Sequence, residues 1–420
     1  MRALAPEVRC PHFIRAAKIH ERTSTSRSCA DPSWGAKVDA AAAHDVELVR
    51  ENIRKRNPKA AILETACRVF ISAPQSIEGR HVLAVEDGPT SIHGEFEPMT
   101  PNDFLSIKDF SPQQIRSFLD LARHIKARPD DYAQKLKGKT LALIFEKPSL
   151  RTRVSFDVGI HQLGGFSLNL SPAEINLGKR ESVYDVAKNL ERMVQGIMIR
   201  TFAHEIVDRM AEYASIPIIN GLTDYSHPCQ AMADYMTILE IKGKVAGLKV
   251  AYIGDGNNVA HSLMFAGAQL GAHVWVATPP NYEPKADAIQ WAQKRGAETG
   301  GTCTITNDPV AAASAADAIY TDVWASMGQE AEADKRRKIF MPYQVNGALF
   351  GRAKPDASFL HCLPAHRGDE VTNEVIDSPR SVVFQEAENR LHSQKAIMLE
   401  LMEHGSRTTP GVPAGDAVRV

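Results

Sequence analysis

The stretch "LALIFEKPSLRTRVSF", residues 141–156, decides which fold class the chain adopts. It begins with a short apolar run that follows "KGKT", as is typical of a buried strand. The residues after it place Val154, Val158, Ile160 and Leu163 at approximately helical spacing. The stretch therefore predicts a strand that turns into a helix, which is the repeating element of parallel α/β sheets.

The composition is that of a globular protein without a charge bias. The chain has 420 residues, of which 44% are apolar and 24% charged, so it is long enough for two ordinary domains. Its 49 basic and 50 acidic residues leave a net charge of -1, which argues against nucleic acid or an anionic membrane as a partner. No apolar run approaches the length of a membrane span.

The cysteines and the first residues indicate a cellular location. The six cysteines are scattered without CxxC spacing, which favours reduced thiols in a cytosolic enzyme over a disulfide framework. The start of the chain is rich in Arg and Ser, as transit peptides are, but it contains Glu7 and Glu21 and lacks a clean amphipathic helix. We therefore expect a cytoplasmic protein.

Beyond residue 100, strand-like and helix-like segments alternate, and Ser111 and Pro112 have the spacing of a helix cap and first helical residue. The nine strand candidates are "LALIF", "FSLNL", "GIMIR", "PIING", "KVAYIG", "HVWVAT", "CTIT", "AIYTDV" and "SFLHCL". Nine strands exceed one usual sheet, so we predict an α/β protein with two doubly wound parallel-sheet domains joined by helices. The expected segments are an N-terminal extension over 1–98, domains over 99–242 and 243–385, a helix over 386–403 that packs back on the first domain, and a disordered tail over 404–420.

The N-terminal extension has a different pattern from the rest of the chain. It predicts a helix and a strand over residues 46–66 and a further strand from His81, which are too few elements for an independent core. Its "EDGPT...HG" turn is similar to part of the cyclic diphosphoglycerate synthetase-like P-loop proteins, although the chain contains no GxxxxGK[ST]. Its function stays unassigned.

The opening turn has the features of an anion site. Ser149, Arg151, Thr152 and Arg153 lie where the first turn of a helix leaves backbone N–H groups unpaired. Arginine donates two parallel hydrogen bonds to a phosphate, and hydroxyl groups fill the remaining acceptor directions. A capped helix with solvated arginines explains this single turn equally well.

Two further strand ends in the first domain carry hydrogen-bond donors. Arg200 ends the strand "GIMIR", and His227 and Gln230 follow the strand "PIING" at the start of a helix. Alone, His227 is more typical of a capping or buried histidine than of a catalyst. Three neighbouring strand ends with donors nevertheless indicate one shared site, because parallel strands end at the same edge of a sheet.

The second domain offers groups for an amine rather than for a dinucleotide. The turn "GDGNN" lacks the third glycine of a dinucleotide site, whereas Asn257 and Asn258 provide carboxamides for an amino acid. Asp322 ends another strand, where it either binds a ligand or caps the loop. Cys362 lies between two histidines at spacings that match no common zinc site, and an inert buried thiol is the ordinary alternative.

Six motifs in sequence make residues 102–403 similar to the anabolic ornithine carbamoyltransferases. They are "FEKPSLRTR", "HPCQ", "GDGNN", "DVWASMGQE", "HCLPAHRG" and "AENR". The resemblance implies transfer of the carbamoyl group from carbamoyl phosphate to the side-chain amine of L-ornithine, without metal or organic cofactor. It also implies a carbamoyl-phosphate domain followed by an ornithine domain, and a homotrimer with active sites at subunit interfaces.

The resemblance also implies roles for individual residues. Carbamoyl phosphate is expected to contact Ser149, Leu150, Arg151, Thr152, Arg200, His227, Gln230, Cys362, Leu363 and Arg390. Ornithine is expected to contact Asn258, Asp322, Ser326 and Met327. Arg151, Arg200, His227 and Cys362 are the expected catalytic residues, and the Leu363–Pro364 peptide bond is expected to be cis.

The sequence departs from the family pattern in four places. Leu150 stands where the family usually has Thr, and Pro148 where a residue other than proline is commoner. Asn176 and Val186 replace a frequent Gln and a frequent Thr in the loop that the family lends to a neighbouring subunit. The alternatives to ornithine are aspartate, acetylornithine or putrescine as the acceptor, or a non-catalytic amino-acid-binding relative.

Overall fold

The computed structural model describes residues 17–23, 81–87, 102–175, 177, 180–325 and 330–404. The chain divides into two units, residues 1–96 and 97–420. In the first unit, β1 (Ala17–Thr23) and β2 (His81–Asp87) pair antiparallel. The strand expected from His81 is therefore present, whereas the elements predicted over 46–66 and the tail from 405 lie outside the described residues.

The second unit begins with a four-stranded parallel sheet. Its strands are β3 (Thr140–Phe145), β4 (Phe166–Leu170), β5 (Gly196–Arg200) and β6 (Ile218–Leu222), in the order β4-β3-β5-β6. Its helices are α1 (Pro112–Ala127), α2 (Leu150–Gln162), α3 (Pro172–Ile175), α4 (Val183–Leu190), α5 (His204–Tyr213) and α6 (Pro228–Lys242). Ser111 caps α1 and Pro112 is its first residue, as predicted.

A five-stranded parallel sheet follows along the chain. Its strands are β7 (Lys249–Ile253), β8 (His273–Ala277), β9 (Thr302–Thr306), β10 (Ala318–Thr321) and β11 (Ser358–His361), in the order β11-β10-β7-β8-β9. Its helices are α7 (Asn258–Leu270), α8 (Ala286–Thr299), α9 (Pro309–Ala313), α10 (Ala333–Phe340), α11 (Gly347–Phe350), α12 (Asn373–Ile376) and α13 (Val383–His404). All nine predicted strands are present, and the predicted fold class is confirmed.

The inner strands β3 and β5 are apolar along most of their length because both faces of their sheet are covered. All five residues of β5 are buried, and so are five of the six residues of β3. Alternating polar residues would be expected if one face met water, so these runs favour parallel strands. The long helix α13 packs against α6, α1 and α2 of the first half.

The strand order fixes where a ligand can bind. Connections leave in opposite directions from β3 and β5 in the first sheet, and from β7 and β10 in the second. In open α/β sheets the crevice outside the carboxyl ends of such strand pairs is the usual ligand site. Among the described residues, no helix has both the length and the apolar character needed to cross a membrane.

Candidate active site

The turn after β3 forms the first wall of the site. Ser149 caps α2, and its Oγ accepts a hydrogen bond from the Thr152 N–H at 3.2 Å. Thr152 is fully buried, whereas the Leu150 side chain is 72% exposed. The backbone of this turn therefore faces the crevice while the Leu150 side chain points into solvent.

Three arginines from distant parts of the sequence meet beside this turn. Arg390 from α13 donates to the Thr152 Oγ1 at 2.7 Å, and Arg151 donates to the Leu363 carbonyl oxygen. Arg200 is buried at the end of β5, and burial together with Arg390 and Arg151 lowers its pKa to about 9. The described residues place no carboxylate in an ion pair with Arg151 or Arg390, and the Nε of each has no hydrogen-bond partner. Arg151 and Arg390 therefore carry positive charge without a carboxylate partner, which suits an anion site.

His227 and Gln230 close the inner end of the same space. His227 lies at the N-terminus of α6, and its backbone N–H donates to the Ser262 Oγ at 2.8 Å. Its ring Nδ1 is buried without a hydrogen-bond partner. Burial, followed by the repulsion of Arg390, Arg200 and Arg151, holds the pKa of His227 well below its usual value. The imidazole is therefore neutral at neutral pH.

The ends of β10 and β11 form the opposite wall. The Cys362 thiol donates to Asp322 Oδ1 at 3.0 Å, and the Asn257 Nδ2 donates to Asp322 Oδ2 at 2.9 Å. Burial, reinforced by the Asp322 charge, raises the pKa of Cys362 well above its usual value. Cys362 is thus a protonated thiol that orients a carboxylate, and it is not a thiolate nucleophile.

The Leu363–Pro364 peptide bond is cis, as predicted. Leu363 has a φ of 56°, and its N–H donates to the His361 Nδ1 at 2.8 Å. Because Leu363 also accepts from Arg151, this turn joins the second half of the site to the arginine cluster.

Asp322, His361 and Cys362 each have one atom that could bind a metal ion, and these three atoms lie within 4.8 Å of one another. His361 Nδ1 already accepts from the Leu363 N–H, so Nε2 carries the ring proton and donates to Glu370 Oε1 at 3.2 Å. The histidine therefore has no lone pair for a cation. Its chemistry does not suit a metal.

Most of the predicted residues converge, but three need separate comment. Asn258 donates to the Thr223 carbonyl oxygen and so connects the two halves of the site. Its neighbour Asn257, which the residue-by-residue prediction left out, is the carboxamide that contacts Asp322. Ser326 and Met327 lie outside the described residues.

The strand ends of two parallel sheets bring an arginine cluster, which suits a phosphate group, close to an Asp–Cys pair, which suits an amine. This fold and site are those of an α/β protein that binds small molecules. Residues 102–240 match the family model of the aspartate/ornithine carbamoyltransferase carbamoyl-P binding domain, and residues 246–401 match that of the Asp/Orn binding domain. The chain belongs to the aspartate/ornithine carbamoyltransferase family.

Curated relatives and solved structures agree with this assignment. Ornithine carbamoyltransferase of Thermococcus kodakarensis is 57% identical over 305 residues, which are 71% of this chain and 96% of the relative. The solved structure of the Pyrococcus furiosus ornithine carbamoyltransferase is 55% identical with a TM-score of 0.70, covering 72% of this chain and 97% of that one. An N-acetyl-L-ornithine transcarbamylase structure is 30% identical with a TM-score of 0.65, covering 71% of this chain and 99% of that one.

Proposed function

We propose that the chain transfers the carbamoyl group of carbamoyl phosphate to the side-chain amine of L-ornithine, giving L-citrulline and phosphate for arginine biosynthesis. The observation that carries this proposal is the contact between Arg151 and the Leu363 carbonyl oxygen. It brings the arginine cluster against the Asp322–Cys362 pair. The names of relatives at 55–57% identity, one of them called anabolic, support the same reaction.

The phosphate and carbamoyl ends of the substrate have distinct partners in this proposal. Arg151 and the backbone N–H groups at the start of α2, from Ser149 to Thr152, hold the phosphate. Arg200, Arg390 and neutral His227 aim donors at the carbamoyl oxygen, on which negative charge builds during attack. The Gln230 Oε1, which is buried without a partner, accepts from the carbamoyl amino group.

The amine arrives from the side of Asp322 and Cys362. Its nitrogen forms a bond to the carbamoyl carbon, the bond from that carbon to the phosphate oxygen breaks, and the proton lost by the amine passes to the leaving phosphate. A side-chain amine with a pKa of ~10.4 is mostly protonated at neutral pH and must lose that proton before it attacks. In this proposal the Asp322 carboxylate orients the amine for the attack. Asn258, Ser326 and Met327 remain the proposed contacts for the rest of ornithine.

The residues facing the amine favour ornithine over aspartate. Aspartate brings a second carboxylate, which the Asp322 carboxylate repels because the two like charges approach in a buried site. Ornithine brings an amine to the same place. We therefore place aspartate below ornithine as an acceptor, with acetylornithine and putrescine as the nearer competitors.

We propose a homotrimer, supported by an apolar surface beside the site. Leu150, Val154 and Val158 are exposed along one face of α2, and Phe166 and Leu168 are exposed on the neighbouring edge strand β4. A contiguous apolar face on an edge strand is typical of a protein interface. Light scattering of the purified chain is expected to give three times the chain mass, and Val154→Glu with Phe166→Glu is expected to reduce it. A monomeric unmodified chain contradicts the proposal.

We also propose a cytoplasmic location and the domain bounds 99–242 and 243–385. Cys229, Cys303 and Cys362 are free thiols, which suits a reducing compartment. The two family models, which end at residue 240 and begin at 246, support a division near residue 243. Fractionation of cells with an antibody to the chain tests the location.

The reaction itself is tested by incubating the purified chain with carbamoyl phosphate and ornithine and measuring both products. Citrulline and phosphate are expected in equal amounts. Asp322→Asn is expected to raise the KM for ornithine and leave carbamoyl phosphate binding unchanged, because of the two substrates only the amine is proposed to contact this carboxylate. Phosphate release without citrulline contradicts the proposed transfer.

A further inference from the structure

Two buried carboxyl groups lie directly behind Gln230. Asp234 is one helical turn beyond Gln230 on α6, and Glu386 comes from α13. Both carboxyl groups are completely buried, and so is Tyr320 beside them. Buried acids are expensive to maintain unless they make specific hydrogen bonds, so this pair needs a physical reason.

Both carboxyl groups accept from the same amide nitrogen. The Gln230 Nε2 donates to Asp234 Oδ1 at 2.8 Å and to Glu386 Oε1 at 3.1 Å. Glu386 also accepts from the Tyr320 hydroxyl at 3.2 Å and, through Oε2, from the His361 N–H at 2.9 Å. Both hydrogens of the Gln230 amide are therefore used inside the protein. The Gln230 Oε1 is buried and has no partner.

The charge state of the pair disfavours the opposite orientation of the amide. Burial raises the pKa of both carboxyl groups, that of Asp234 to about 7, and the neighbouring Asp234 raises that of Glu386 further, so the pair keeps a shared proton at neutral pH. Four carboxyl oxygens with one proton form a mainly accepting surface. A reversed amide places the Gln230 oxygen against that surface, where electrostatic repulsion disfavours it.

We propose that Asp234 and Glu386 are positioning residues that hold the Gln230 amide with its oxygen toward the substrate, so that the site selects an acyl phosphate bearing an amino group. This inference rests on the proposed function, in which Gln230 faces the carbamoyl end. The selected group is the –NH2 of carbamoyl phosphate. Acetyl phosphate, which has the same shape with a methyl group in that place, leaves a buried acceptor unpaired.

The test compares two ligands that differ only in this group. Dissociation constants for carbamoyl phosphate and acetyl phosphate are measured by calorimetry with the full chain and with the double variant Asp234→Asn, Glu386→Gln. Either side-chain amide can donate as well as accept, so Gln230 loses its preferred orientation. We expect about five- to tenfold weaker binding of carbamoyl phosphate, the effect of one hydrogen bond, with acetyl phosphate binding unchanged.

The chain offers a matched control in Thr237→Val. Thr237 is buried on the same helix, donates to the Ala233 carbonyl oxygen at 2.8 Å and accepts from the Asn389 Nδ2 at 2.9 Å. Its loss weakens the same contact between α6 and α13 without touching Gln230. The ratio of the two dissociation constants is expected to stay at the unmodified value.

Each outcome decides between distinct conclusions. Equal weakening of both ligands, or an unchanged ratio in a folded double variant, overturns the positioning role. If the double variant does not fold, the single variant Asp234→Asn decides. It is expected to bind carbamoyl phosphate about two- to threefold more weakly. An unmodified chain that makes no citrulline overturns the proposed function instead. Citrulline formation with an unchanged ratio overturns only the inference about Asp234 and Glu386.

Discussion

Replacing Arg200 by glutamine is expected to stabilise the ligand-free protein while removing activity. Burial and the charges of Arg390 and Arg151 lower the Arg200 pKa to about 9. At about 1.4 kcal/mol for each pKa unit, keeping Arg200 charged in the folded state costs roughly 4–5 kcal/mol. Glutamine removes this cost but loses packing and hydrogen bonds, so we expect a net gain of about 2 kcal/mol.

The gain is measured as the free energy of unfolding in urea, in buffer without phosphate. Adding inorganic phosphate is expected to stabilise the unmodified chain by about 2.7 kcal/mol at a hundredfold excess over Kd, because an anion binds only the folded cluster. Arg200→Gln is expected to gain less from phosphate at the same concentration, because the cluster that attracts the anion has lost one of its positive charges.

Arg128→Gln is the matched control for this experiment. Arg128 pairs with Asp131 at 2.8 Å on the surface, where its side chain is 63% exposed. Loss of such a pair changes stability by about 0.5 kcal/mol or less. The reasoning fails if Arg200→Gln is less stable than the unmodified chain without phosphate, or if both gain equally from phosphate.

Three further outcomes follow from the site and the chain organisation. Arg151→Ala is expected to lower kcat/KM by a factor equivalent to a loss of transition-state stabilisation on the order of 3 kcal/mol, as loss of one preorganised donor does. Near-normal turnover contradicts its role. Deletion of residues 1–98 is expected to leave activity intact, and failure of the remainder to fold shows that the proposed boundary is wrong. His227 stays neutral in the folded chain, whereas in the unfolded chain it is protonated below about pH 6.5. The free energy of unfolding is therefore expected to fall as the pH drops below that value, by up to about 1.4 kcal/mol per pH unit for this residue. His227→Gln is expected to reduce that slope in urea unfolding at successive pH values, and an unchanged slope contradicts the reasoning.

The strands were predictable from sequence because apolar runs of four to six residues alternate with helical spacing. Each of the nine strands predicted beyond residue 100 is within two residues of its observed bounds. The spacing of Val154 and Val158 correctly indicated a helix but not its buried face. Both are exposed, whereas Ile160 is buried. An apolar face that meets another subunit has the same pattern as one that meets the core.

The positions of the predicted site residues at strand ends were also within reach of sequence, because parallel strands end at one edge. The contacts that hold these residues in place were not predictable from the sequence. Glu386 lies 156 positions from Gln230, so only the packing of α13 on α6 brings them together. The four-residue spacing of Gln230 and Asp234 on a helix was the one available signal for this network. Asn257 caps α7 in the structure, and its second role toward Asp322 depends on the neighbouring strand β10.

The central claim is that this site transfers a carbamoyl group to the side-chain amine of ornithine. The most direct test is kcat/KM with carbamoyl phosphate and each of four acceptors under identical conditions: ornithine, acetylornithine, putrescine and aspartate. Asp322 beside the protonated thiol of Cys362 predicts that ornithine gives much the highest value and aspartate the lowest. Equal values for the four acceptors, or a higher value for any of the other three, contradict the claim.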